Sequence, residues 1–150
     1  MESREINVAP DRFEVTANDL LLVTELCSAI AVCVYDAEEQ AGALLHLRCI
    51  VRASKPADVT DTTLATEMLL LDRCLLALRE AAPAARHLQA RIVVQLADAP
   101  QAAIVAETVV AMVGHYLEDA GVALLPADVA SGGTRALRFR PAMGWVHTRA

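Results

Sequence analysis

Hydrophobic and polar positions alternate between two periods along the chain. The runs FEV (13–15), LLLVTEL (20–26) and AIAVCVY (29–35) are apolar, β-branched and of strand length. They are bounded by the polar segments TAND and DAEEQAG, the second ending at Gly42, and read as strands. A further run, ALLHLRCIV (43–51), sets His46 and Arg48 on one face against Leu45, Leu47 and Cys49 on the other. The face carrying His46 is expected to point away from the core. After the polar loop RASKPADVTD the period changes: Leu64, Met68, Leu71, Leu75 and Leu78 form one helical stripe, with Asp61 or Thr62 as cap and an end near Ala82-Pro83. LQARIVVQLA lacks strict alternation, which predicts a central strand buried on both faces.

Beyond Pro100 a second helix carries Val105, Val109, Met112, Val113, Tyr116 and Leu117 on one side and stops at Gly121, a residue suited to a left-handed cap. Two or three short strands follow, VALLPADV, TRALRFR and WVHTR, joined by ASGG and PAMG. Strands mixed with two amphipathic helices predict an α/β (α+β) layered sandwich, with a central mixed or antiparallel sheet and two main helices packed on it. A length of 150 residues predicts one domain over 1–150.

Composition narrows the function classes. Aromatic residues make up 3% of the chain, so the core is built from Ala, Val, Leu and Ile and offers no ring platform for bases. The formal net charge of -6 argues against nucleic acid, whose phosphates require clustered Lys and Arg. The most apolar stretch, 19–35, is interrupted by Thr24, Glu25 and Ser28, so no direct membrane insertion is expected. MESREINVAP has no basic region leading into an apolar run, and a cytoplasmic location is expected. Cys27, Cys33, Cys49 and Cys74 form no C-x-x-C pair and sit in apolar runs, where free thiols act as small hydrophobes. His46, His87, His115 and His147 lack metal-ligand spacing. Neither a metal nor a cofactor is expected.

Three segments carry a more specific signal. TELCSAIAVCVYD (24–36), AGALLH (41–46) and the closing stretch YLEDAGVALLPADVASGGTRALRFRPAMGWVHTR together resemble the CheD family, the bacterial chemoreceptor glutamine deamidases, over nearly the whole chain. That family's strand reads T-x-L-G-S-C-V-A-V-C-L-Y-D, followed by G-G-x-x-H, and both align here without a gap. Its L-x-x-x-G-I helix end, D-x-G-G-x-R-G-R turn and P-x-x-G hairpin match Leu117 to Val122, Asp128 to Arg135 and Pro141 to Gly144 in order.

The resemblance implies a Cys, His and Thr site that converts receptor glutamines to glutamates. A thiolate attacks the side-chain amide, an imidazole activates the thiol and protonates the leaving ammonia, and a hydroxyl holds the ring. Residue by residue, Thr24 falls at the Thr and His46 at the His, but the nucleophile position falls at Ala29, which has no lone pair to offer. Cys27 stands at the family's glycine. Strand alternation would turn it to the side of position 29, roughly 7 Å along. Ser28 would point to the opposite face, leaving a structural or oxyanion role. Arg135, Arg138 and Arg140 are read as sharing one strand face, either as solvated surface or as a docking surface for an acidic partner.

The chain departs from the family elsewhere. G-G-A after the central strand is Val94-Gln95-Leu96, I-G-x-R-N in the second helix is Val105 to Val109, and R-G-R is Arg135-Ala136-Leu137. Losing glycines where a backbone must approach a ligand closes that approach, and Val94, Gln95 and Ala106 are expected to fill the pocket. Two function classes follow. One is a non-catalytic relative, a pseudoenzyme that binds chemoreceptor cytoplasmic helices or a CheC-type phosphatase. The other is a working deamidase, with Cys27 as displaced nucleophile or Ala29 as an engineered replacement of Cys. Reuse of the fold for an unrelated partner is a third.

Overall fold

The computed structural model describes residues 4–48, 62–98 and 102–150. In chain order the strands are β1 (Arg4–Asn7), β2 (Arg12–Thr16), β3 (Leu20–Leu26), β4 (Ala29–Asp36) and β5 (Ala41–Leu47). Then come helix α1 (Thr62–Ala81), β6 (Gln89–Leu96) and helix α2 (Ala102–Asp119). The chain closes with β7 (Ala123–Leu124), β8 (Asp128–Ser131), β9 (Arg135–Arg140), a 3-10 turn at Pro141–Met143 and β10 (Trp145–Arg149). Existence and type agree with the hydrophobic pattern for every element except β1, which is too short and polar to stand out, and β7 and β8. These two come from the single run VALLPADV, interrupted around Pro126, a residue that cannot donate to a ladder.

The strands form two sheets rather than one. One sheet runs β1-β3-β9-β10; the other runs β2-β5-β4-β6, with β7 and β8 end to end along the free edge of β6. Within the second sheet β4 is antiparallel to both neighbours, with Ala31 opposite His46 on β5 and Ala29 opposite Gln95 on β6. All eight residues of β4 and all seven of β5 are buried. Ile30, Val32 and Val34 turn to the helices with Leu45, Leu47, Leu71, Leu75, Val109 and Val113. Ala29, Ala31, Cys33 and Tyr35 turn to the other sheet and meet Leu22, Leu26, Leu137 and Phe139. The result is three layers, helices, sheet and sheet, with one apolar core on each side of the β4–β5 pair.

Local chemistry fixes the joins. Gly121, at φ 83°, closes α2: its N–H reaches the Glu118 carbonyl and the Val122 N–H reaches Leu117, the paired bonds of a Schellman cap. On α1, Leu71, Leu75 and Leu78 are buried as the stripe requires, while the cap position Asp61 lies outside the described residues. Of the charges expected on its solvated face, Asp72, Arg73, Arg79 and Glu80 are exposed but Glu67 is buried, because it stands one turn before Leu71 on the same stripe. Among the described cysteines, Cys33 and Cys74 are buried free thiols and burial pushes the Cys74 thiol up to about 12; Cys27 is exposed. Cys49 lies outside the described residues.

Gly42 on β5 serves packing. A Cβ there would stand 2.6 Å from both the Pro141 Cβ and the Val34 carbonyl oxygen. The 3-10 turn therefore lies directly on this strand. Gly42→Ala is expected to destabilise the fold by about 1–3 kcal/mol through overpacking, read as a lower denaturant midpoint at unchanged slope.

Candidate functional site

Thr24 and His46 come from different sheets and meet in the core between them. Thr24 sits on β3 opposite Leu137, flanked by the buried Leu22 and Leu26. His46 sits on β5 opposite Ala31. The Thr24 hydroxyl donates to the Val8 carbonyl at 2.7 Å, and its Oγ1 lies 2.8 Å from His46 Nδ1. A hydroxyl has one proton, so with that proton committed to Val8 the imidazole must be the donor: Nδ1 carries hydrogen and Nε2 keeps a lone pair. The face carrying His46 is thus a core face, contrary to the sequence expectation, because the β1-β3-β9-β10 sheet covers it.

Burial sets the charge of the ring. Loss of water around His46 holds its pKa below the ordinary histidine value; Asp11 opposes this, Arg48 reinforces it, and the Val8 carbonyl opposes it. The imidazole is therefore neutral at pH 7, in the protonation state a general base requires.

Two residues of β4 stand diagonal to the ring: Ala29, which is not a nucleophile, and Cys33, a buried thiol that loss of water keeps protonated. Ala29 opens β4, is fully buried, and shares its face with Ala31, the residue paired with His46. Diagonal neighbours on such a ladder lie about 7–8 Å apart at Cα, within reach of a long side chain. Position 29 and the Thr24–His46 pair thus belong to one region of the core, and at 29 that region offers a methyl group.

Cys27 and Ser28 are placed differently from the sequence expectation. They form the bend by which the chain leaves the β3 sheet and enters the β4 sheet, and Ser28 has a left-handed φ of 50°. Pleat alternation does not run through such a residue, so Cys27 does not share a strand face with Ala29. Cys27 is exposed, whereas His46 is 2% exposed.

The three arginines divide by parity. Arg135 is buried with Leu137 and Phe139, and its guanidinium spans the layers: one nitrogen donates to the Val94 carbonyl at 2.8 Å and the other meets Asp128 at 3.1 Å. Arg138 and Arg140 alone point to solvent, paired with Glu5 at 2.8 Å and with both oxygens of Asp19. The reading of one shared face is corrected: 135 and 138 differ by an odd number on a strand of period two.

Of the residues expected to fill the pocket, only Gln95 stands on the Ala29 side. Val94 and Ala106 belong to the helix-facing core. Gln95 is buried and its amide nitrogen donates to the Gly132 carbonyl at 2.6 Å. It anchors the turn between β8 and β9 beside Ala29.

Asp11 was not singled out by sequence. It sits at the turn between β1 and β2 with φ 59°, donates its N–H to the His46 carbonyl at 2.9 Å, and takes Arg48 Nε and a terminal guanidinium nitrogen on one carboxylate oxygen at 3.0 and 2.6 Å. The PDR stretch between two strands was the available signal, since Asp tolerates the left-handed region. A groove of about 560 Å³ lined by Glu5, Val8, Val23, Glu25 and Arg138 runs beside Thr24; neither His46 nor Ala29 lines it. Among the described residues no three metal-ligating side chains converge, and no helix is long and apolar enough to cross a membrane. No protein-family model matches the chain, and no curated protein matches it.

The neutral, buried His46 couples stability to pH. Its folded pKa lies below the unfolded value of about 6.5, so the unfolded chain binds the extra proton first. The His46 contribution is complete above that value and is lost as pH falls below it, at no more than about 1.4 kcal/mol per pH unit. Denaturation between pH 8 and pH 5 is expected to show wild type losing stability faster than His46→Gln.

Proposed function

We propose that this chain is a CheD-like cytoplasmic binding protein without deamidase chemistry, which docks on the cytoplasmic helices of a chemoreceptor or on a CheC-type phosphatase and acts by occupancy. One observation carries the reading: a histidine held neutral and oriented by a threonine, as a thiol deamidase requires, with alanine at the neighbouring position and the nearest cysteine in sequence turned to solvent. Without a lone pair at 29, no covalent intermediate forms there. The receptor-facing role rests on the resemblance in 24–46 and 117–144, and the buried Gln95 beside Ala29 is a further departure from a glycine-lined pocket.

The docking surface excludes Arg135, whose hydrogen bonds are internal, and leaves Arg138 and Arg140 as its solvent-facing cations. Each is already paired with an acid, so their field is short in range and their contribution lies in the rate of encounter.

The test joins an ammonia-release assay on chemoreceptor glutamines with calorimetric titration against a receptor helical bundle and a CheC-type protein. Wild type is expected to release no ammonia above background while binding one partner saturably. Ala29→Cys alone is expected to recover little activity, because misplacing reacting atoms by about 1 Å can cost on the order of a hundredfold. Wild-type activity abolished by Cys27→Ser contradicts the non-catalytic reading, and absence of binding to both partners contradicts the receptor-facing one. Arg138→Ser with Arg140→Ser is expected to slow association more than it speeds dissociation.

A further inference from the structure

The β1-β3-β9-β10 sheet ends in β10, an edge strand among the described residues. Among the described residues β10 pairs only with β9. Natural edges are blunted by proline, lysine, a bulge, or a covering helix or loop. The sequence of β10, WVHTR, has no proline or lysine, its ladder to β9 runs without a bulge from Trp145 to Arg149, and its residues alternate between exposed and half-exposed. Trp145 remains 43% exposed although it stacks on His147, with ring centroids 5.5 Å apart and planes 3° from parallel.

The strand is complementary to itself. Antiparallel pairing of two copies about a two-fold axis through His147 keeps all five residues in register. On the solvent face it sets Trp145 opposite Arg149 of the second copy, twice by symmetry, and guanidinium over indole is the strongest of the common cation–π pairs. On the inner face it sets Val146 opposite Thr148, both half-buried in the single chain. No two acidic or two basic side chains of β10 face each other, and the two His147 rings meet at the axis. We infer that β10 is a homodimerisation edge, through which two copies of this chain join their β1-β3-β9-β10 sheets into one continuous eight-stranded sheet.

The edge lies outside the Thr24–His46 region, but Trp145 and His147 stand directly beside Arg140 and Arg138 on the ladder to β9, so the dimer edge borders the solvent-facing cations of the proposed docking surface. It also explains why an indole, the only tryptophan of the chain, is held in a stacked position on the surface. Isologous pairing of this kind closes at two copies and leaves β1 as the outer edge on each side.

Sedimentation of the full chain over a concentration series tests it. Wild type is expected to pass from monomer to dimer, and Trp145→Arg, which sets arginine against arginine, is expected to weaken the dimer by about tenfold or more. Combining Trp145→Arg with Arg149→Trp restores the opposed pair in reverse and is expected to recover most of the loss. The register is read separately in a Cys27→Ser background. There His147→Cys is expected to cross-link to itself under oxidation, since residues facing each other across an antiparallel pair lie about 4.5–5.5 Å apart at Cα, within disulfide reach. Trp145→Cys, which would face Arg149, is expected not to cross-link. A wild type that stays monomeric throughout overturns the inference and leaves the edge to another protein's strand. A dimer indifferent to Trp145→Arg, or one in which His147→Cys does not cross-link, also overturns it.

Discussion

Complete burial of β4 and β5 on both faces is the constraint on which the rest of the molecule depends. A strand pair with no solvated side needs a cover on each, and the chain supplies two amphipathic helices for one and a second sheet for the other. That second cover draws Thr24 on β3 against His46 on β5, since the two residues stand on facing sheets. The change of sheet between β3 and β4 is made in two residues, Cys27 and Ser28, and the left-handed Ser28 is the cost of so short a passage. Arg135 ties the layers a second time by reaching from β9 to the Val94 carbonyl on β6.

The site is thus a by-product of packing as much as of chemistry. Desolvation by the covering sheet keeps the imidazole uncharged, and the fully committed threonine hydroxyl selects its tautomer. Both features prepare a base. Preparation is different from reaction: Ala29, where the family resemblance would set the nucleophile, holds a methyl group, and the only exposed cysteine among the described residues belongs to a surface bend.

Sequence made much of this legible where one period ruled a whole element. The leucine stripe of α1, the buried run of β6 and the Gly121 stop of α2 all follow from side-chain spacing and from the one residue able to take a left-handed cap. The second sheet was not legible, because alternation shows that a strand has two faces but not whether both are covered. His46 was accordingly assigned to a solvent face that another sheet occupies. Cys27 is placed differently for a related reason: alternation counted back from Ala29 crosses the join between the runs 20–26 and 29–35, where the positive φ of Ser28 breaks the pleat. Nothing in the pattern marks a serine as left-handed. The division between Arg135 and Arg138 is legible in the sequence, since parity alone separates them on a strand.

The central claim is that His46 is a neutral, Nδ1-protonated imidazole fixed by Thr24, with no nucleophile at position 29. Nitrogen-15 NMR of the imidazole at neutral pH tests it most directly, because the two ring nitrogens report their protons separately. The account predicts a pyrrole-type signal at Nδ1, an unprotonated Nε2, and a titration midpoint below that of an ordinary histidine; Thr24→Val is predicted to loosen this tautomer preference. An imidazolium at pH 7, or hydrogen on Nε2 in the wild type, would contradict it.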